Sequence, residues 1–80
     1  MITKTLLTFA TCGPCHMLKN KLSKIEGLVY EVKDYSIPDE REIFGKYNIN
    51  SVPRLVIERD DGSFEIIQGM DDIIKRIKED

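Results

Sequence analysis

The sequence predicts an α/β protein built on a four-stranded mixed sheet with helices on both faces, in the chain order β-α-β-α-β-β-α. Three observations carry that prediction. Short runs rich in Thr, Val, Leu, Ile and Phe alternate with stretches of helical periodicity. A tight-turn signal, "DDGS" at 60–63, separates two of the runs and makes them a hairpin. Both cysteines stand together in "TCGPC" (11–15), where the first run meets the first helical stretch. Strands separated by helices in the first half are expected to be joined by parallel crossovers. The whole chain, residues 1–80, reads as one domain, without repeats, low-complexity segments or a linker.

The first strand is "KTLLTF" (4–9), apolar enough to be buried on both faces. The first helix follows at once, with Pro14 in its first turn, where a missing N–H is no loss. It should run to about Ile25, with Gly27 as its C-terminal cap. At 100° per residue, Cys15, Leu18, Leu22 and Ile25 share a stripe about 80° wide, while His16, Lys19, Asn20 and Ser23 share the polar side. Cys15 is therefore expected to face the core and Cys12 to lie at the helix mouth.

"LVYEVKD" (28–34) is the second strand, and "SIPDEREIFGKYN" (36–48) reads as one short helix. Ser36 is its expected cap, and Pro38 with the acids of the first turn suits its start. Asn48 suits a left-handed end, and Ile43, Phe44 and Tyr47 are its core side. "RLVIER" (54–59) and "FEII" (64–67) are the hairpin strands, with Gly62 in their turn. "DDIIKRIK" (71–78) closes the chain as a helix carrying Ile73, Ile74 and Ile77 inward, opened by acids and ended by bases.

Composition excludes several classes. The 80 residues are 41% hydrophobic and 32% charged, a globular balance, with a formal net charge of −2. There is no basic block and no aromatic-basic interleaving, so nucleic acid is not an expected partner. No run approaches the roughly 20 apolar residues of a membrane span. "MITKTLLTFATC" has no small-residue cleavage site of the secretory kind, so a cytoplasmic protein is expected. In that reducing compartment a cysteine pair is more often catalytic or metal-binding than structural.

A structural staple is a weak reading of the pair, because so short a ring gains little from loop closure. Tetrahedral zinc wants four ligands, and this chain offers Cys12, Cys15 and His16, so no metal site is expected within one chain. A metal-bridged dimer or a non-redox binding module stays as an alternative. Redox chemistry has a mechanism at this spacing. The thiolate is the attacking species, and a free cysteine is only about 3% ionised at pH 7. Free N–H groups at a helix N-terminus favour the thiolate by roughly 0.3–1 kcal/mol, more when partly buried. Cys12, nearest those groups, is the expected nucleophile. Cys15, three residues on, is the expected resolving thiol.

The second signal is "SVP" (51–53), a β-branched residue and a proline opening the third strand, which also suits a cis peptide. "CGPC" followed by a helix, with "SVP" some forty residues later opening a hairpin, resembles the thioredoxin superfamily over essentially the whole chain. The resemblance implies a minimal thioredoxin fold and dithiol-disulfide oxidoreductase activity on protein disulfides. It implies an active-site loop of Thr11, Gly13 and Pro14 around the cysteines. It also implies a cis Val52–Pro53 bond and a substrate-binding edge made by Val52, Pro53, Arg54 and Gly69. Arg54 is either a solvated charge or a group near Cys12 that stabilises its thiolate; His16 is a solvated polar-face residue or tunes the site through its charge.

The departures point further. Full-length thioredoxins carry an additional N-terminal strand and helix, a tryptophan where Thr11 stands and a buried aspartate where Leu6 stands. "QGMDD" (68–72) is similar to the segment with which glutaredoxins hold the amino end of glutathione, which makes Asp71 and Asp72 candidate glutathione-binding residues. The same two acids equally suit the first turn of any helix. The hybrid is similar to small redoxins of bacteria and phages that donate hydrogen to ribonucleotide reductase. No bound cofactor is expected. Electrons would come from a flavoprotein thioredoxin reductase with NADPH, or from glutathione. The expected partners are disulfide-containing proteins, and the chain is expected to be a monomer.

Overall fold

The structure is a computed structural model and describes residues 2–79. Its elements are β1 (Ile2–Thr8), α1 (Gly13–Ser23), β2 (Glu31–Asp34), a 3-10 turn (Pro38–Glu40), α2 (Glu42–Lys46), β3 (Arg54–Arg59), β4 (Phe64–Ile67) and α3 (Met70–Lys78). The four strands form one sheet in the order β2-β1-β3-β4. The α/β class, the element order and the mixed sheet are those the sequence predicts.

Period-two alternation divides the core between the two faces of the sheet. Leu6, Leu55 and Ile57 point to one face, where Leu18 and Leu22 of α1 and Ile73 and Ile77 of α3 close over them. Leu7 and Val56 point to the other, under Phe44 of α2. Ile74 packs half-buried at the edge of the first cluster. β1 and β3 form the centre, and Leu6, Leu7, Leu55 and Val56 are all fully enclosed.

Five expectations need correction. β1 and β2 are parallel, but β3 runs antiparallel to β1, so the connection through α2 is not a parallel crossover. The reason is reach. β2 ends at Asp34 beside Thr8, and β3 begins at Arg54 beside Leu7, at the same end of the sheet. The five residues of α2 advance only about 7–8 Å, too little to carry the chain back to the far end.

The helix expected over 36–48 is broken into the 3-10 turn and α2. Ser36 does not cap it, since the Ser36 N–H and hydroxyl both donate to Asp34 Oδ1, at 2.8 and 2.5 Å. This aspartate-centred turn takes the serine away, and Ile37 precedes the 3-10 turn with no side-chain cap. α1 ends at Ser23 rather than Ile25, and Gly27 (φ 82°) lies in the loop beyond. β2 starts at Glu31 rather than Leu28, because Leu28 and Tyr30 turn inward against the first core cluster before the chain joins the ladder. Asn48 does take a left-handed conformation, φ 57°, at the end of the α2 region.

Candidate active site

The site lies where β1 and β2 end and α1 and β3 begin. Cys12 is the N-cap of α1 in an extended conformation, φ −88° and ψ 108°. Its sulfur accepts the Cys15 N–H at 3.2 Å, so one of the helix's unpaired donors points at the sulfur. Its own N–H donates to the Phe9 carbonyl at 3.0 Å and closes the turn between strand and helix. Pro14 occupies the first helical turn.

The two sulfurs are joined in a disulfide, with Cα atoms 5.2 Å apart. Their surroundings differ. Cys12 is half-buried, while Cys15 is 0% exposed and stands on the face of α1 that carries Leu18 and Leu22. Thr11, Gly13 and Pro14 are exposed around the outer sulfur. The helical wheel alone predicts this asymmetry.

The Val52–Pro53 peptide bond is cis. The Val52 carbonyl oxygen lies 3.9 Å from Cys12 Sγ, which brings the two sequence motifs together although forty residues separate them. Val52 and Pro53 are both half-buried. Arg54 is occupied within its own loop, its guanidinium donating to the Pro53 carbonyl at 2.8 Å and to Ser51 Oγ at 2.6 Å. Among the described residues it makes no hydrogen bond to either sulfur. Gly69 (φ 92°) immediately precedes α3, and Asp71 and Asp72 are exposed in that helix's first turn.

Beside Val52 opens an apolar pocket of about 380 Å³, lined by Phe9, Tyr35, Phe44, Ile49, Asn50, Ser51 and Val52. Tyr35 packs edge-on against Phe44, with ring centroids 5.1 Å apart, and tilts against Phe9 at 6.2 Å. The Arg41 guanidinium stacks on Tyr35 at 4.7 Å, and its Nε donates to the Tyr35 carbonyl at 2.6 Å. Strand and helix periodicity alone do not reveal this pocket. Its signal was the pair of aromatics directly after the first two strands: parallel strands paired at Thr8 and Asp34 deliver Phe9 and Tyr35 at one level. At the same edge the Ser36 hydroxyl and N–H hold the Asp34 carboxyl below the usual carboxylate range, with help from the Lys19 charge.

Reduction of such a disulfide yields an accessible thiol at a helix N-terminus and a shielded one within bonding reach. That is the arrangement dithiol-disulfide exchange requires. Among the described residues, no group of three or more His, Cys, Asp and Glu side chains is placed to hold a metal ion, and no helix is long and apolar enough to cross a membrane.

No family model and no curated protein matches the sequence. Solved structures do resemble it. Thioredoxin f from spinach chloroplast is 20% identical with a TM-score of 0.70, over 96% of this chain and 73% of that one. The reduced thioredoxin pre-protein of Schistosoma mansoni is also 20% identical, with a TM-score of 0.63 over 96% of this chain and 76% of that one. A thioredoxin from Thermus thermophilus is 14% identical at the same TM-score, over 96% of this chain and 68% of that one. The chain has the thioredoxin fold in a small form, with a C-x-x-C pair at the start of its first helix.

Proposed function

We propose that this protein is a thiol-disulfide oxidoreductase that reduces disulfides of other proteins. The observation that carries the reading is the division of labour between the sulfurs. Cys12 accepts a helix N-terminal N–H at 3.2 Å and is reachable, whereas Cys15 is fully enclosed. In the reduced protein the Cys12 thiolate attacks one sulfur of a substrate disulfide. One substrate thiolate leaves and takes a proton from water. Cys15, losing its proton, then attacks Cys12 Sγ, releases the second substrate thiol and leaves the Cys12–Cys15 disulfide. Two electrons have passed to the substrate, and a flavoprotein reductase drawing on NADPH, or glutathione, returns them.

The Val52 backbone beside Cys12 and the apolar pocket next to it support an extended peptide as the substrate, lying along residues 51–53. Arg54 and Gly69 would flank that edge. With Leu6 buried in the cluster on the α1 side of the sheet, no carboxylate is offered from that position to take the Cys15 proton, which leaves water, Cys12 itself or another group to do so. The combination of "CGPC" with "QGMDD" suits a hydrogen donor, with ribonucleotide reductase as one candidate recipient and the cytoplasm as its proposed compartment.

The test is insulin-disulfide reduction with two electron supplies in parallel: thioredoxin reductase with NADPH, and glutathione with glutathione reductase. Turnover with the first is expected, with loss of activity in Cys12→Ser and a trapped mixed disulfide in Cys15→Ser. A glutathione-dependent reading is favoured by Asp71 and Asp72 after Gly69. It predicts turnover with glutathione that survives in Cys15→Ser and falls in Asp71→Asn. Inactivity with both supplies would reject the reductase reading.

A further inference from the structure

The loop that presents Cys12 has little of its own to hold it. Ala10 and Thr11 are exposed and contribute no side chain to either core cluster. Hydrogen bonds must therefore set where the Cys12 sulfur sits. One is the bond from the Cys12 N–H to the Phe9 carbonyl, 3.0 Å. Two others involve one residue of α1. The His16 N–H donates to the Cys12 carbonyl at 3.2 Å, and His16 Nε2 lies 2.8 Å from the Ala10 carbonyl oxygen. His16 thus grips the chain on both sides of Thr11.

A carbonyl oxygen only accepts, so Nε2 must carry the hydrogen. In the neutral ring the other nitrogen, Nδ1, is then the acceptor, and protonating it would add charge without breaking the bond to Ala10. The placement follows from helix geometry. Side chains lean toward the N-terminus of their helix, so a residue in the first full turn of α1 reaches back over the segment that enters it.

We propose that His16 is a positioning residue for Cys12: its imidazole clamps the Ala10 carbonyl and so keeps the Cys12 sulfur at the mouth of α1, within reach of the Cys15 N–H. The inference rests on Cys12 as the nucleophile. It assigns to His16 a hydrogen-bonding role and not one through charge. Without the clamp the loop drifts, the sulfur spends less time against the helix N–H groups, and less of it is thiolate at neutral pH.

The experiment is alkylation of the fully reduced chain by iodoacetamide at pH 7, with the adduct assigned to Cys12 by mass spectrometry and thermal midpoints measured in parallel. His16→Ala is expected to slow the Cys12 reaction about three- to tenfold, the range one lost hydrogen bond supports. His16→Gln, whose amide N–H can take the place of Nε2–H, is expected to stay within about twofold of the parent. An unchanged rate in His16→Ala overturns the proposal, whatever its midpoint. So does His16→Gln reacting as slowly as His16→Ala, because the ring or its charge would then matter rather than the bond. Alkylation needs no disulfide substrate. A protein inactive on insulin that still shows this pattern would reject the proposed function and leave the clamp standing.

Discussion

At the scale of the residue, the position of each sulfur follows from a single helix. Cys12 faces the entering loop and Cys15 the core, with Leu18 and Leu22 beyond it. Leu6 shows how strongly this small core depends on each member. It is fully enclosed, pairs with Leu55 across the sheet and lies in one cluster with the α1 and α3 side chains. Leu6→Ala is expected to destabilise the protein by about 2–5 kcal/mol, the range for a buried leucine whose cavity only partly collapses. Urea unfolding followed by circular dichroism would check this, and a loss under about 1 kcal/mol would mean the core repacks freely. The burial of Leu6, Leu18 and Cys15 was legible in the sequence, because it follows from strand and helix periodicity. The occupation of Arg54 by Ser51 and Pro53 was not, because a long side chain chooses among partners only the folded loop supplies.

At the scale of the element, α3 is held at its end by a residue from the other end of the chain. Lys4 of β1 donates through Nζ to the carbonyls of Arg76 at 2.8 Å, Ile77 at 3.3 Å and Glu79. A cation there satisfies carbonyls that a helix leaves unpaired and complements its dipole. Lys4→Met should cost about 0.5–2 kcal/mol and speed amide hydrogen exchange in the last turn of α3 before other segments. Exchange rising equally throughout the chain would argue against a local cap.

β4 is tied to α3 and β3 by Glu65, which pairs with Arg76 at 2.8 and 2.9 Å and also with Arg59. The Arg76 guanidinium, with Arg59, lowers the Glu65 pKa from 4.5 to about 2. A lowered carboxyl pKa stabilises the fold above its unfolded value and loses that contribution as pH falls through the folded one. The difference in unfolding midpoint between parent and Glu65→Gln should therefore be full above about pH 5, shrink toward pH 2, and weaken with added salt. A difference independent of pH would assign the effect to packing. The turn signal before "FEII" predicted the strand, but not that Glu65 would meet Arg59 and, across 11 residues of sequence, Arg76.

At the scale of the molecule, the proposed exchange cycle requires a fold that survives without the disulfide. A ring closed over a sequence separation of three contributes at most about 2 kcal/mol in the chain-entropy account. Both core clusters lie on the sheet faces and consist of side chains other than the cysteines'. The protein treated with dithiothreitol should keep its helix and strand signals and unfold cooperatively, with stability reduced by about 2 kcal/mol or less. Collapse of those signals on reduction would mean the bond is structural, and the exchange cycle proposed for the site could not run.

The sequence by itself determined what local physics decides: the order of elements, the hairpin at Gly62, the inward stripe of α1, and the cysteine pair at the strand-helix junction. Periodicity, turn chemistry and capping act over a few residues and need no knowledge of the rest of the chain. Only the tertiary structure decided the antiparallel entry of β3, the splitting of the helix after β2, the pocket between Phe9 and Tyr35, and the grip of His16 on Ala10. Each depends on which strand ends share a level in the sheet and on which side chains compete for one donor or acceptor. Those competitions are settled by contacts between distant segments, and they begin only once the sheet has formed.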